Sequence, residues 1–320
     1  MNTTPRILVG QPYPQEFIDR INTVGYQVDC IEKNYNKHQQ VLERIEHYDA
    51  LLAINHAADK AIMDKGINLK IISNYGVGYD NVDTTYAKEK GIIVTNLPRS
   101  TSAPTANLAL GLMLNVMRKI GRHDRYLRVN QIPNWSENSI NGNSPENKIL
   151  GIIGMGRIGK ALAKRALALE MKIWYHNRNR LSQEEEKAYQ ATYKSLDELA
   201  AGADVISIHT PLNDSTFHIL GAKQIELMKP SAFIINTARG NVIDYDALIE
   251  ALENQKIKGA GLDVFPEEPI VPDRLKTLDN VIITPHIGTG TIEARIAMFE
   301  EAFQNVVDYF EGKELEARVA

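Results

Sequence analysis

Short apolar runs alternate with amphipathic stretches along the first third of the chain. The apolar runs lie at 7–9, 28–31, 50–54, 71–73 and 92–94, and the stretch at 15–24 has the spacing of an amphipathic helix. Alternation of buried strands with helices is typical of a parallel sheet that helices cover. The pattern therefore predicts an α/β domain at this end of the chain.

A second α/β pattern follows a long helical segment. Hydroxyl side chains at Ser100 and Thr101 suit a helix start, and helical periodicity continues to about residue 129. The Asn-, Ser- and Pro-rich stretch up to residue 147 predicts an irregular loop. Beyond it, six strands are predicted at 149–153, 172–175, 205–209, 233–236, 259–262 and 281–284.

The last helical pattern, at about 291–310, has no strand of its own in the second unit. We therefore expect this helix to return to the first domain. The predicted domains are 1–99 together with 287–320, and 100–286. The fold class that this order predicts is α/β, with two Rossmann-like or flavodoxin-like parallel-sheet domains.

Composition and charge narrow the classes of partner. The 320 residues include 36 basic and 40 acidic side chains, for a formal net charge of −4, and these are scattered along the chain. Without a concentrated basic field, no nucleic-acid or membrane partner is expected. No signal-peptide pattern or membrane-length apolar run is present, so a cytoplasmic protein is predicted. Cys30 is the single cysteine, and no His or Cys cluster has metal-ligand spacing, so no metal is predicted.

A glycine motif occupies 154–159, between an apolar run and a helical pattern. Gly154 permits a tight turn, Gly156 lets the backbone approach a pyrophosphate, and Gly159 allows a helix to pack closely on a strand. The helix N-terminus then holds the anion. The alternative is that these glycines only serve a turn. The residues predicted to bind a dinucleotide here are Gly154, Met155, Gly156, Arg157, Ile158 and Gly159.

The end of the next predicted strand distinguishes NAD from NADP. It reads Trp-Tyr-His-Asn-Arg-Asn-Arg at 174–180, with no Asp or Glu to accept hydrogen bonds from the ribose hydroxyls. Asn177 has no charge that would repel a 2′-phosphate, and Arg178 and Arg180 can bind one through charge-assisted hydrogen bonds. The sequence therefore predicts that NADP(H) is preferred, with NAD(H) as the second choice. The alternative is that both arginines are solvated surface charges.

Three more segments at predicted strand ends carry chemistry. They are IINTARGNVID with Arg239, GAGLDVFPEEP with Asp263 and Glu268, and VIITPHIG with His286. Ligands bind at the carboxyl ends of strands in open α/β sheets. Together with NYGVGYDNVD at 74–83 and the glycine motif, these segments resemble the D-isomer-specific 2-hydroxyacid dehydrogenase family over nearly the whole chain. The resemblance implies an NAD(P)-dependent oxidoreductase of small 2-oxo and D-2-hydroxy acids, with its active site in the cleft between the two domains.

The resemblance implies that Arg239 binds the substrate carboxylate and polarises the 2-oxo group, that His286 is the acid/base, and that Glu268 partners the imidazole. The chemistry favours the same residue types. A guanidinium offers two parallel donors to a carboxylate and stabilises negative charge on the carbonyl oxygen. Histidine titrates near neutrality, and a close carboxylate favours the imidazolium that can protonate an alkoxide. Glu267 is adjacent, but the family's glutamate directly precedes a proline, here Pro269.

Supporting roles also follow from the resemblance. Val77 and Gly78 resemble a loop whose backbone N–H groups hold the substrate carboxylate, and Tyr75 is expected to line the same pocket. Asp263 is expected to accept from the cofactor's carboxamide, with a structural role at the strand end as the alternative. The other expected cofactor contacts are Thr210, Pro211, Thr237 and Ala238.

The motif combination is most similar to glyoxylate and hydroxypyruvate reductases. Dehydrogenases of 2-ketogluconate, D-lactate or phosphite type are alternatives on the same fold. A non-catalytic, dinucleotide-sensing binding protein is an alternative of another class, because the family includes transcriptional corepressors. The resemblance also implies a homodimer, with an arm at about 101–147 that reaches the partner. Trp135 in this arm either packs locally or reaches the partner's site.

Overall fold

The computed structural model describes residues 4–13, 16, 18–19, 25–129 and 140–320. These residues divide into two compact units. Unit 1 contains the described residues up to Thr101 together with Ile292–Ala320, and unit 2 is Ser102–Thr291, again in its described part. The helix predicted at 15–24 lies largely outside the described residues, and Trp135 lies wholly outside them.

Unit 1 contains a five-stranded parallel sheet in the flavodoxin-like order β2-β1-β3-β4-β5. Every strand lies on one of the apolar runs: β1 (Arg6–Val9), β2 (Gln27–Cys30), β3 (Ala50–Ala53), β4 (Ile71–Asn74) and β5 (Ile93–Thr95). In the described part of this unit, the connecting helices are α1 (Lys37–Arg44), α2 (Lys60–Lys65) and α3 (Thr84–Glu89). Asp59 and Asp83 cap the second and third helices by accepting from a backbone N–H three residues later.

Unit 2 contains a seven-stranded parallel sheet in the order β12-β11-β10-β9-β6-β7-β8. The strands are β6 (Ile149–Ile153), β7 (Lys172–His176), β8 (Ala191–Tyr193), β9 (Val205–Ile208), β10 (Phe233–Asn236), β11 (Gly259–Leu262) and β12 (Val281–Ile283). The prediction of six strands was wrong, because the edge strand β8 has only three residues and no apolar run. Two parallel-sheet units confirm the predicted fold class.

The helices of unit 2 also differ from the prediction at one point. They are α4 (Ser102–Arg118), α5 (Ile120–Arg128), α6 (Arg157–Leu167), α7 (Gln183–Ala188), α8 (Leu196–Gly202), α9 (Ala222–Leu227), α10 (Tyr245–Glu253) and α11 (Asp273–Lys276). One continuous helix was expected up to residue 129. Instead Lys119 has a left-handed backbone (φ 57°), and the side-chain oxygen of Asn115 accepts from the N–H of Gly121 at 2.8 Å. Side-chain periodicity does not report this backbone reversal.

The last helix, α12 (Ile292–Phe310), belongs to unit 1 and packs on its sheet. Its buried face, which includes Met298, Phe299 and Ala302, lies in one cluster with the inward side chains of β1 and β3. Buried Glu301 accepts from the backbone N–H groups of Arg99 and Ser100 at 3.1 and 2.8 Å. Among the described residues, no helix is both long and apolar enough to cross a membrane.

Candidate active site

The glycine motif forms the turn between β6 and α6, beside β9, where the strand order of the sheet reverses. Gly154 has a left-handed φ of 96°, and a Cβ there would lie 2.7 Å from the carbonyl carbon of His209. A Cβ at Gly159 would lie 2.4 Å from the carbonyl oxygen of Gly154. At Gly156, by contrast, a Cβ would meet nothing within 4 Å. Two glycines are thus required by packing, and the third leaves an open cradle before the helix.

The groups around this cradle fit a dinucleotide. The first-turn N–H groups of α6 have no intrahelical acceptor, and no side chain caps them at Gly156. The hydroxyls of Thr210 and Thr237, at the carboxyl ends of β9 and β10, are buried and have no partner among the described residues. A helix N-terminus suits a pyrophosphate, and unpaired buried hydroxyls call for a polar ligand.

Met155 and Asn177 form a hydrogen bond with each other beside the glycine motif. The side-chain oxygen of Asn177, after β7, accepts from the backbone N–H of Met155 at 2.6 Å. The side chain of Met155 is buried in the core. Met155 therefore offers a cofactor neither its N–H nor its side chain, whereas Asn177 keeps its amide NH₂ as a donor.

The two arginines after β7 differ in their surroundings. The guanidinium of Arg180 pairs with both carboxylate oxygens of Glu186, at 2.8 Å from Nε and 3.0 Å from Nη2. The hydrogen bonds from Arg180 and Tyr175 lower the pKa of Glu186 to about 2. Arg178 is exposed and forms no ion pair or side-chain hydrogen bond with a described residue. Of the two predicted phosphate ligands, only Arg178 is available without breaking an ion pair.

Glu268 and His286 form a direct pair, with the carboxylate Oε2 and the ring Nδ1 2.6 Å apart. The other oxygen of Glu268 accepts from the backbone N–H of Phe265 at 3.1 Å, so both ends of the carboxylate are fixed. Burial tends to raise the pKa of Glu268. That pKa is nevertheless held below its ordinary value by the hydrogen bond and charge of His286, by the Phe265 N–H and by the charge of Arg239. The carboxylate is ionised at neutral pH.

Arg239 lies on a loop that packs against the segment leading to Glu268. The side chain of Asn236 closes this loop by donating to the carbonyl of Arg239 at 2.8 Å and accepting from the N–H of Ala238 at 3.0 Å. A Cβ at Gly240 would lie 2.1 Å from the carbonyl carbon of Phe265, so the two segments touch backbone to backbone. Sequence reasoning missed Asn236 and Gly240, although both stand within the IINTARGNVID segment.

Asp263 holds the loop that carries His286. Its buried carboxylate accepts from the hydroxyl of Thr284 at 2.6 Å and from the N–H groups of Ile287 and Gly288, both at 2.8 Å. His286 has a left-handed φ of 51°, which a residue with a side chain adopts only when its surroundings impose it. Burial raises the pKa of Asp263 against the effect of these hydrogen bonds. The contacts match the structural role that was the alternative for this residue.

In unit 1, hydrogen bonds hold two carbonyl groups of the loop after β4. The carbonyl of Gly76 accepts from the N–H of Leu97 at 2.9 Å, and that of Val77 from the side-chain amide of Asn96 at 2.8 Å. In a trans peptide, the next N–H points away from the carbonyl. The N–H groups of Val77 and Gly78 therefore point away from these partners, and they donate to no described residue. Two adjacent N–H groups so directed suit an anion.

Tyr75 does not present its hydroxyl to this loop. Its side chain is buried, and its hydroxyl accepts from that of Tyr13 at 2.9 Å and donates to the carbonyl of Arg295 at 2.8 Å. Among the described residues, no group of three or more His, Cys, Asp or Glu side chains is placed to hold a metal ion.

Comparison with known proteins agrees with this arrangement. The model of the D-isomer specific 2-hydroxyacid dehydrogenase NAD-binding domain matches residues 110–288. The chain belongs to the D-isomer specific 2-hydroxyacid dehydrogenase family, as its motifs predicted, and is therefore an NAD(P)-dependent oxidoreductase of 2-hydroxy acids.

Among its relatives are glyoxylate reductases. The glyoxylate reductase of Thermococcus litoralis is 39% identical, over 97% of this chain and 95% of that protein. The crystal structure of a glyoxylate reductase from Paecilomyes thermophila has a TM-score of 0.88 at 33% identity, over 100% of this chain and 99% of that one. An NADPH-dependent glyoxylate/hydroxypyruvate reductase from Sinorhizobium meliloti, solved with NADP and malonate, has a TM-score of 0.85 at 30% identity, over 99% and 97%.

Proposed function

We propose that this dehydrogenase reduces glyoxylate, hydroxypyruvate or a similarly small 2-oxo acid to the D-2-hydroxy acid, with NADP(H) preferred over NAD(H). The observation that carries the proposal is the hydrogen bond between Glu268 and His286, on a segment packed against the loop of Arg239. A proton donor held by a carboxylate, together with a cation, is what reduction of a carbonyl group requires. The relatives named glyoxylate reductase support a small substrate.

Each group has one part in the proposed reaction. Arg239 binds the substrate carboxylate and stabilises the negative charge that develops on the C2 oxygen. The N–H groups of Val77 and Gly78 also bind the carboxylate. A reduced nicotinamide, when bound, supplies the hydride to C2. Because Nδ1 of His286 is bound to Glu268, its Nε2 is the atom that donates the proton to the C2 oxygen, which completes the hydroxyl.

The cofactor is assigned to unit 2. The open cradle at Gly156 and the N-terminus of α6 would hold the pyrophosphate. The segments with Thr210 and Thr237, together with their neighbours Pro211 and Ala238, would contact the nicotinamide half.

The preference for NADP rests on Arg178 and Asn177. The exposed guanidinium of Arg178 and the NH₂ of Asn177 supply donors to a 2′-phosphate, and Asn177 is neutral where an Asp or Glu would repel it. Arg180 would contribute only by leaving Glu186. The relative from Sinorhizobium meliloti is NADPH-dependent, which supports the same choice.

The test is the initial rate of NADPH and NADH oxidation with glyoxylate, hydroxypyruvate, pyruvate and 2-ketogluconate. Turnover that falls by orders of magnitude in Arg239→Ala, and not in the surface control Arg274→Ala, supports the proposal. NADPH binding without turnover of any 2-oxo acid would refute it and favour a dinucleotide-sensing protein.

We also propose that the chain forms a homodimer through the arm at about 101–147. The helix α5 within this arm has no buried residue, and its Ile120, Leu127 and adjacent Val129 are 56%, 53% and 63% exposed. Exposed apolar side chains grouped on one helix are typical of a surface that a partner covers. Sedimentation velocity should give a dimer that Leu127→Glu weakens; a wild-type monomer would contradict the proposal.

A further inference from the structure

A second group of polar side chains lies at the carboxyl edge of the sheet in unit 1. The segment after β1 contributes Gln11, the segment after β3 contributes His56, and α1 begins at Lys37. The first turn of α12 contributes Arg295, whose carbonyl accepts from Tyr75 directly after β4. Because parallel strands end at the same edge, these residues share that edge with the loop of Val77 and Gly78. We call Gln11, Lys37, His56 and Arg295 the edge cluster.

Two cations of the edge cluster are not neutralised by the described residues. The ammonium of Lys37 contacts the side-chain oxygen of Gln11 at 3.4 Å, but neither Lys37 nor Arg295 pairs with a described carboxylate. The nearby carboxylate of Asp59 is bound to His38 at 3.0 Å. Burial, and then the charge of Arg295, lower the pKa of Lys37, so the two positive groups are close enough to repel each other. An anion between them would remove this repulsion.

The edge cluster also contains an unmet hydrogen-bonding atom. Nδ1 of His56 lies 2.9 Å from the carbonyl of Ala57, to which it must donate. The buried Nε2 has no partner among the described residues, and it packs where a Cβ at Gly10 would come within 2.3 Å. Burial lowers the pKa of His56 and keeps it neutral. A bound anion would let Nε2 take up a proton and donate to it.

We propose that the edge cluster binds a second anionic group, so that this dehydrogenase favours 2-oxo acids with a carboxylate at the far end. The inference rests on the proposed function, in which the N–H groups of Val77 and Gly78 bind the first carboxylate. The loop follows β4, and Gln11 follows β1, two strands away, a span of about 10 Å at ~4.8 Å per strand. Because Lys37 and Arg295 have long side chains at this edge, we expect the second anionic group to belong to a dicarboxylic acid of the size of 2-oxoglutarate.

The experiment compares 2-oxoglutarate with 5-methyl-2-oxohexanoate, a near-isostere that keeps the first carboxylate but has an uncharged isopropyl group at the far end, by kcat/KM with NADPH and NADH. We expect the wild type to prefer 2-oxoglutarate. In Lys37→Met and Arg295→Met, the ratio of the two kcat/KM values should fall by about tenfold or more, mainly through KM, because a charge-assisted hydrogen bond is lost. Arg295→Lys should keep part of the ratio because it keeps the charge.

Lys88→Met, which removes an exposed lysine of α3, is the matched control and should leave the ratio unchanged. The ratio is measured within each variant, so it does not depend on the active fraction of the preparation. A wild-type ratio at or below one, or the same ratio in every variant, overturns the inference while glyoxylate turnover leaves the proposed function standing. If the wild type reduces no 2-oxo acid, the proposed function fails and the inference fails with it.

Discussion

Asp263→Asn separates the two roles considered for Asp263, which are a contact with the cofactor's carboxamide and the positioning of His286. The wild-type carboxylate accepts three hydrogen bonds, from Thr284, Ile287 and Gly288. The oxygen of an asparagine can still accept from Thr284 and Ile287, but its NH₂ would face the N–H of Gly288. One hydrogen bond to a charged acceptor is lost, a cost of ~1.5–3 kcal/mol.

The cost should appear in catalysis because the same contacts hold His286 in its left-handed conformation. That backbone conformation itself costs ~1–3 kcal/mol and persists only while its surroundings impose it. If the lost free energy reduces the fraction of molecules in which His286 is correctly placed, kcat falls in proportion to that fraction. Since ~1.4 kcal/mol corresponds to tenfold, the expected decrease in kcat is about 10- to 100-fold.

The assay is kcat and KM for glyoxylate, together with the Kd of NADPH from fluorescence titration. A positioning role predicts a lower kcat with little change in the Kd. The exposed Asp273→Asn serves as the control and should change neither. An Asp263→Asn enzyme with wild-type kcat and a raised Kd for NADPH would refute the positioning role and favour the contact with the carboxamide.

Substitutions of Glu268, Arg178 and Gly240 test the contacts around the site. Glu268→Gln should lower kcat by about tenfold or more, because a neutral amide replaces the carboxylate that is hydrogen-bonded to His286; an unchanged kcat would contradict this. The pKa of Glu268 in the folded protein is held below its ordinary value. The ionised carboxylate therefore stabilises the folded state fully above the ordinary pKa, and this stabilisation is lost as the pH falls through the lowered pKa. The measurement is Tm against pH, in which Glu268→Gln should show a smaller acid-side loss than the wild type. Arg178→Ala should reduce the ratio of kcat/KM for NADPH over NADH by about tenfold or more, whereas Arg180→Ala should leave that ratio nearly unchanged; the reverse result would assign the phosphate to Arg180. Gly240→Ala forces a Cβ against the backbone of Phe265 and should lower both Tm and activity. An active, stable Gly240→Ala would show that the two loops are not in contact.

Local patterns were enough to predict most of the fold and the chemical class of the site. The apolar runs located all five strands of the first sheet and six strands of the second, because a strand buried on both faces must be apolar along its length. The glycine motif, read in its strand-to-helix context, indicated the three different environments later found at Gly154, Gly156 and Gly159. Arg239, Glu268 and His286 were predicted as site residues from the short segments around them and from their resemblance to the family.

Other features depend on which groups come into contact, which the local pattern does not specify, and only the tertiary structure decided these. The partner of Arg180 is Glu186, which withdraws one of two neighbouring arginines that look equivalent in the sequence. The three-residue strand β8 exists because β7 offers it an edge to pair with, since three residues carry too little apolar pattern.

The same limit applies to the active site. The sequence by itself determined which residue types stand at the strand ends, because composition and periodicity are local properties. The structure decided that Asp263 accepts from the backbone beyond His286, and that Gly240 brings the Arg239 loop against the segment of Glu268. Backbone hydrogen bonds and close backbone contacts leave almost no mark on side-chain pattern, so they become visible only when the chain is folded.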